Sequence, residues 1–265
     1  MFDFFFDTAD IEYIKKVWFS LGERGLNKNV KGITTNPNAM SKINRHTLTE
    51  WQEILPKLCE LVSEIRQDKK GEVHVQAPNS SMTGEEVRAF ARHISAFSDG
   101  NTKLALKIAP QIDILEKVPF IQEYMPVNVT GLSDCSTALS CVIYGVDYVS
   151  IIPGRMEEVG INADSHLIYM LRQNRKTKVI TGSMRTLEGL KRAVEAGTVP
   201  TIGNRVWDAI TEEKFDVTKL SAKELVPPML SPHITQANTN LSLSFFEQMD
   251  ELGRRAYREW GSLKC

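Results

Sequence analysis

No stretch of the chain comes near the ~20 consecutive apolar residues that a membrane-spanning helix needs, so no transmembrane segment and no membrane partner are expected. The apolar opening Met1 to Phe6 is short, carries Asp3, and lacks both a basic segment and a small-residue cleavage site. A cytoplasmic location follows as the expectation, and the sequons at Asn79 and Asn128 are then without consequence. Charge of one sign is missing too. Lys and Arg number 32 against 33 Asp and Glu, a formal net charge of -1, which leaves no basic excess for nucleic acid or an anionic surface. Any bound anion has to be met by a few local cations.

Cysteine is sparse, and Cys59, Cys135, Cys141 and Cys265 form no CxxC pair and no cluster with histidine. Neither a zinc site nor a disulfide framework is indicated, and buried thiols are the expectation. The histidines His46, His74, His93, His166 and His233 show no metal-ligand spacing, so no metal is expected; His74 reads as a satisfied core histidine. No Pro/Gly/Ser-rich linker divides the 265 residues. A glycine-rich turn after the first apolar run is also absent: Asp7-Thr8-Ala9-Asp10 stands there, which weakens a dinucleotide-binding open sheet.

What the chain does have is a recurring alternation of short β-branched or aromatic runs with longer helix-periodic stretches. Eight such runs stand out: Phe2 to Phe6, Val30 to Thr34, Glu72 to Gln76, Leu104 to Ile108, Pro126 to Thr130, Tyr148 to Ile152, Lys178 to Thr181 and Pro200 to Ile202. Amphipathic segments such as Ile11 to Leu21, Leu48 to Gln67, Thr83 to Phe97 and Leu187 to Ala196 lie between them. Eight βα units in one unbroken chain predict an α/β fold, a closed (β/α)8 TIM barrel over residues 1–222. Residues 223–265 then form a proline-containing connection, Val226 to Pro232, and an added helix within Ile234 to Trp260, docked on its own barrel or a neighbour's. Such a helix suits an assembly, and a homo-oligomer is expected.

In a barrel of this kind chemistry gathers where strands end. The strands here end in Asp7, in Thr34-Thr35-Asn36, in Gln76, in Lys107-Ile108, in Asn128-Val129-Thr130, in Ser150 and then Arg155, and in Thr181-Gly182-Ser183 and then Arg185. Lys107 sits in an apolar strand, where an ammonium either reaches a carboxylate or the strand end, or loses its proton and becomes a nucleophile toward carbonyls. Asp7 alone would serve equally as a helix cap, and Gln76 and Asn128 alone as partners of rim backbone. Their joint placement on one rim is what points to a site. Arg155, Ser183 and Arg185, near a helix opening at Thr186, would seat a phosphate, and a tetrahedral sulfonate would satisfy much of the same geometry.

These residues together resemble a known family. Phe4-Phe5-Phe6-Asp7-Thr8-Ala9-Asp10, Gly32-Ile33-Thr34-Thr35-Asn36-Pro37, Leu106-Lys107-Ile108, Asn128-Val129-Thr130, Tyr148 to Arg155 and Ser183-Met184-Arg185 occur in the order of the transaldolase and fructose-6-phosphate aldolase motifs. The resemblance implies a Schiff-base enzyme acting on sugar phosphates without a cofactor, with Lys107 as nucleophile and Asp7 as proton acceptor and donor. It also implies Thr130 and Gln76 as partners of a proton-shuttling water. Thr35, Asn36, Asn128 and Ser150 would then bind the dihydroxyacetone unit, and Arg155, Ser183 and Arg185 the phosphate. Three positions depart from the family pattern. Ala109 stands where proline is usual, Gln76 where transaldolases have glutamate and the aldolases glutamine, and Ile152 where the two groups have phenylalanine or tyrosine. Transfer to an acceptor is the first expectation; release of free dihydroxyacetone, and a related transaldolase acting on a sulfonated sugar, are the alternatives.

Overall fold

The computed structural model describes residues 2–23, 27–66, 71–98, 100–164, 166, 170, 176–223 and 236–263. Its strands are β1 (Phe4–Asp7), β2 (Val30–Thr34), β3 (Glu72–Gln76), β4 (Lys103–Ile108), β5 (Val127–Leu132), β6 (Tyr148–Ile151), β7 (Lys178–Thr181) and β8 (Val199–Ile202). All pairings are parallel and β1 also pairs with β8, so the sheet closes into a (β/α)8 barrel. Between and after them lie α1 (Ile11–Glu23), α2 (Pro37–Lys42), α3 (Leu48–Ile65), α4 (Gly84–Ser95), α5 (Ile112–Leu115), α6 (Val118–Ile121), α7 (Cys135–Ile143), α8 (Pro153–Glu158), α9 (Leu187–Glu195), α10 (Asn204–Glu212) and α11 (Gln236–Leu263).

Local signals set the element ends. Thr47 with Glu50 and Thr83 with Glu86 form reciprocal capping boxes that start α3 and α4. Asn36 caps α2 by accepting from the Ala39 N–H at 2.8 Å, and Pro37 follows at the first helical position. Strand 6 stops at Ile151, one residue earlier than its apolar run: the Ile152 N–H still donates to the Leu132 carbonyl at 3.0 Å, but Pro153 turns the chain there into α8. The proline-containing connection Val226 to Pro232 lies outside the described residues.

Side-chain alternation divides the strands into two sets. Phe4, Phe6, Ile33, Val73, Leu106, Val127 and Val149 face outward into the main core under the helices, all but fully buried. The opposite parity fills the barrel: Phe5, Tyr148 and Ile180 pack together inside it. Helix α11 lies against α2, α3, β5 and α8 of its own barrel. Its buried stripe, Phe245, Met249, Gly253, Ala256 and Trp260, recurs every three or four residues. Two polar clamps fix it. Ser80 donates from N and Oγ to the Asp250 carboxylate at 2.7 and 2.6 Å, and the Ser133 hydroxyl donates to the Asn238 carbonyl at 2.7 Å. Among the described residues no helix is long and apolar enough to cross a membrane.

Candidate active site

The inward parity of the strands brings polar residues to one end of the barrel in a single cavity. Asp7, Asn36, Lys107, Asn128, Thr130 and Ser150 line it. Lys107 is 6% exposed, and its Nζ donates to the Thr35 carbonyl oxygen at 3.0 Å. Burial pushes this amine down from the usual lysine range, with the charge of Asp7 opposing in part. Asp7 is held by the Thr34 hydroxyl, which donates to its carboxylate at 3.0 Å.

Asn128 and Ser150 are set by a polar column that runs down the barrel interior. The Ser150 hydroxyl donates to Asn128 Oδ1 at 2.7 Å, Asn128 Nδ2 lies 3.0 Å from His74 Nδ1, and His74 Nε2 lies 3.1 Å from Glu72 Oε2. The Tyr148 hydroxyl donates to the same carboxylate oxygen at 2.6 Å. Burial keeps His74 below the usual imidazole range against the pull of Glu72. A neutral ring that accepts at Nδ1 and donates from Nε2 satisfies every member of the column. His74 is therefore the satisfied core histidine expected from sequence, and through Asn128 it also orients the rim.

At the outer mouth Arg155, Ser183 and Arg185 line a continuous cleft with Asp7 and Asn36. Burial and the neighbouring Arg185 push the Arg155 guanidinium down, with Glu158 opposing. Arg155 donates from Nη2 to Gln248 at 2.8 Å, while its Nε is buried without a partner among the described residues. Arg185 donates from Nε to Glu158 at 3.1 Å. Ser183 has a left-handed φ of 55°, a strained backbone for a non-glycine residue beside a binding cleft.

Two residues singled out from sequence sit differently from the rest. The Thr35 hydroxyl turns away from the cavity and donates to the His74 carbonyl at 3.1 Å, so Thr35 offers the site its backbone oxygen. Thr34, the inward residue of that strand, was missed, although it shares the two-residue alternation of Gly32 and Asn36. Gln76 pairs in register with Lys107 on the adjacent strand, and its buried Oε1 has no partner among the described residues. Phe245 and Met249 of α11 also line the cleft. Their helical spacing was visible in sequence, but not the surface it would cover.

The model of the family described as Transaldolase/Fructose-6-phosphate aldolase matches residues 4–252 of the chain. The chain belongs to this family. Among its relatives, a probable transaldolase of Streptococcus equi subsp. equi is 28% identical over 225 residues, spanning 82% of this chain and 94% of that protein. A probable transaldolase of Dictyoglomus turgidum is 30% identical over 215 residues, 75% of this chain and 85% of that one. Similarity of fold extends further: thiamine phosphate pyrophosphorylase from Pyrococcus furiosus superposes with a TM-score of 0.52 at 13% identity, covering 78% of this chain and 91% of that one. Membership places this transaldolase-family chain among enzymes of the aldolase and transferase type. Among its described residues no group of histidine, cysteine or acidic side chains has the geometry to hold a metal.

Proposed function

We propose that the chain is a transaldolase that moves a dihydroxyacetone unit from a ketose phosphate to an aldose phosphate through a Schiff base on Lys107. The observation that carries this reading is a buried amine whose pKa burial depresses, opening on one cavity with Asp7. In this scheme the barrel domain, residues 1–222, supplies the chemistry, and within the C-terminal part, residues 223–265, it is α11 that covers it.

Neutral Lys107 adds to the ketose carbonyl, and loss of water gives the iminium. Asp7 then takes the proton of the hydroxyl on the carbon that leaves. The carbon–carbon bond breaks, its electron pair moves into the iminium to give an enamine, and an aldose departs. An incoming aldehyde reverses these steps: the enamine carbon attacks the carbonyl, and protonated Asp7 returns its proton to the new oxygen. Thr130 and the Gln76 oxygen would hold the water that enters and leaves during imine exchange. Asn36, Asn128 and Ser150 would bind the hydroxyls of the three-carbon unit. Arg155, Ser183 and Arg185 would grip the phosphate, a remote contact that orients the reacting carbon.

Borohydride reduction in the presence of fructose 6-phosphate tests the reading. A three-carbon or six-carbon adduct on Lys107 by mass spectrometry is the expected result, and an adduct on another lysine, or none, overturns it. Gln76 favours a second reading, an aldolase that releases free dihydroxyacetone. Cleavage of fructose 6-phosphate as fast without erythrose 4-phosphate as with it would select that activity.

A further inference from the structure

Phe245 belongs to none of the roles above, yet it is the aromatic side chain that borders the cavity of Lys107 and Asp7. It is carried by α11, and with Met249 and Ile152 it forms a small apolar cluster apart from the main core. Three further contacts hold the ring there. Gly131, the residue after Thr130, has a left-handed φ of 75°, and a Cβ on it would come within 2.7 Å of the Phe245 ring and 2.8 Å of the Phe246 ring. The two rings meet edge-on at 5.1 Å. The Arg155 guanidinium lies 5.0 Å from the centre of the Phe245 ring and donates to Gln248 one turn along the same helix. The bare backbone at Gly131 is what lets a helix from a distant part of the chain lay an aromatic ring over the rim.

We propose that Phe245 is a specificity-determining residue that shields the enamine carbon from solvent, so that the carbon meets an aldehyde rather than a proton. The inference rests on the Schiff-base reading given above. Once the aldose has left, the enamine has two fates. In transfer its carbon bonds to the acceptor carbonyl, and the oxygen takes the proton held by Asp7. In the unproductive route the carbon takes a proton from water and the hydroxide left behind takes the proton held by Asp7, which restores the iminium and the Asp7 carboxylate. Water then adds to the iminium carbon, the carbon–nitrogen bond breaks, and free dihydroxyacetone leaves with Lys107 as the amine. Both routes hydrolyse an imine at their end, so only the protonation of carbon distinguishes them. An apolar roof over the carbon, with imine-exchange water kept on the Thr130 and Gln76 side, suppresses that step without blocking turnover.

The test measures free dihydroxyacetone formed from fructose 6-phosphate without acceptor, relative to transfer to erythrose 4-phosphate, at saturating donor. Phe245→Ala should raise the release-to-transfer ratio about tenfold and Phe245→Leu about threefold, as the roof loses its ring. Adding Ile152→Phe to Phe245→Ala refills the cluster from the strand side and should bring the ratio back down. A merely structural role would lower both rates together and leave the ratio alone. Loss of the stacked Arg155 orientation would raise KM for phosphorylated substrates instead, which saturation separates from the ratio. An unchanged ratio in Phe245→Ala, with Lys107 still trapped by borohydride, overturns the inference alone; if that variant does not fold, an unchanged ratio in Phe245→Leu does so. A wild-type chain in which Lys107 is never trapped overturns the Schiff-base reading itself.

Discussion

A single amine out of reach of bulk water governs the behaviour expected at the residue scale. Only its neutral form attacks a carbonyl, so the rate of reductive trapping should rise with pH through the folded pKa of Lys107 and level off above it. Because burial depresses that pKa, the plateau begins below the usual lysine range. Asp7 is the charge that holds the pKa up, so Asp7→Asn should move the midpoint to still lower pH while abolishing carbon–carbon cleavage; a midpoint that moves up would contradict the electrostatic role of Asp7. The same burial means that the charged amine costs folding free energy near neutral pH. Lys107→Met should therefore eliminate the adduct and leave the melting temperature equal to or above that of the parent. Arg185→Ala should weaken phosphorylated substrates by about 1.5 to 3 kcal/mol, the range for a lost charged hydrogen bond, and equal losses toward unphosphorylated acceptors would exclude the phosphate role.

At the scale of elements, the C-terminal helix depends on close backbone approach. A methyl at Gly253 would press into the Pro78 carbonyl oxygen, so Gly253→Ala should cost about 1 to 3 kcal/mol of stability, read from denaturant unfolding followed by tryptophan fluorescence. An unfolding midpoint unchanged by that substitution would mean that α11 is not seated as described. The strands were legible in sequence to within one or two residues, because β-branched runs bounded by turn residues carry their own signal; Leu104 to Ile108 and Lys178 to Thr181 are examples. Inward and outward faces are legible from the same alternation, which puts Thr34 rather than Thr35 on the inner face of β2, opposite Asp7. The destination of Phe245 was not legible. A helical stripe records that one face is covered, whereas the partner surface, here Ile152 and the bare Gly131, is fixed by tertiary packing between segments far apart in the chain. The column from Ser150 to Glu72 was hidden for a similar reason: each member is an ordinary residue in its own strand, and only ring closure stacks them.

For the molecule as a whole, a net charge of -1 coexists with a mouth where Arg155 and Arg185 sit side by side. Long-range steering of an anion is then weak, while the local field at the cleft is screened by added salt. KM for a sugar phosphate should rise with ionic strength, and KM for an unphosphorylated aldehyde acceptor should not; parallel titrations with sodium chloride distinguish the two.

The barrel closes through β1 and β8, with Phe5 and Phe6 of the first strand in register with Thr201 and Ile202 of the last. Asp7 is thus synthesised before Lys107, yet β1 acquires its second neighbour only after some two hundred further residues, when β8 is made. Until then the sheet that carries acid and amine has an open edge at β1, so a nascent chain halted short of β8 should show no activity, however much of the helix and strand upstream has already formed.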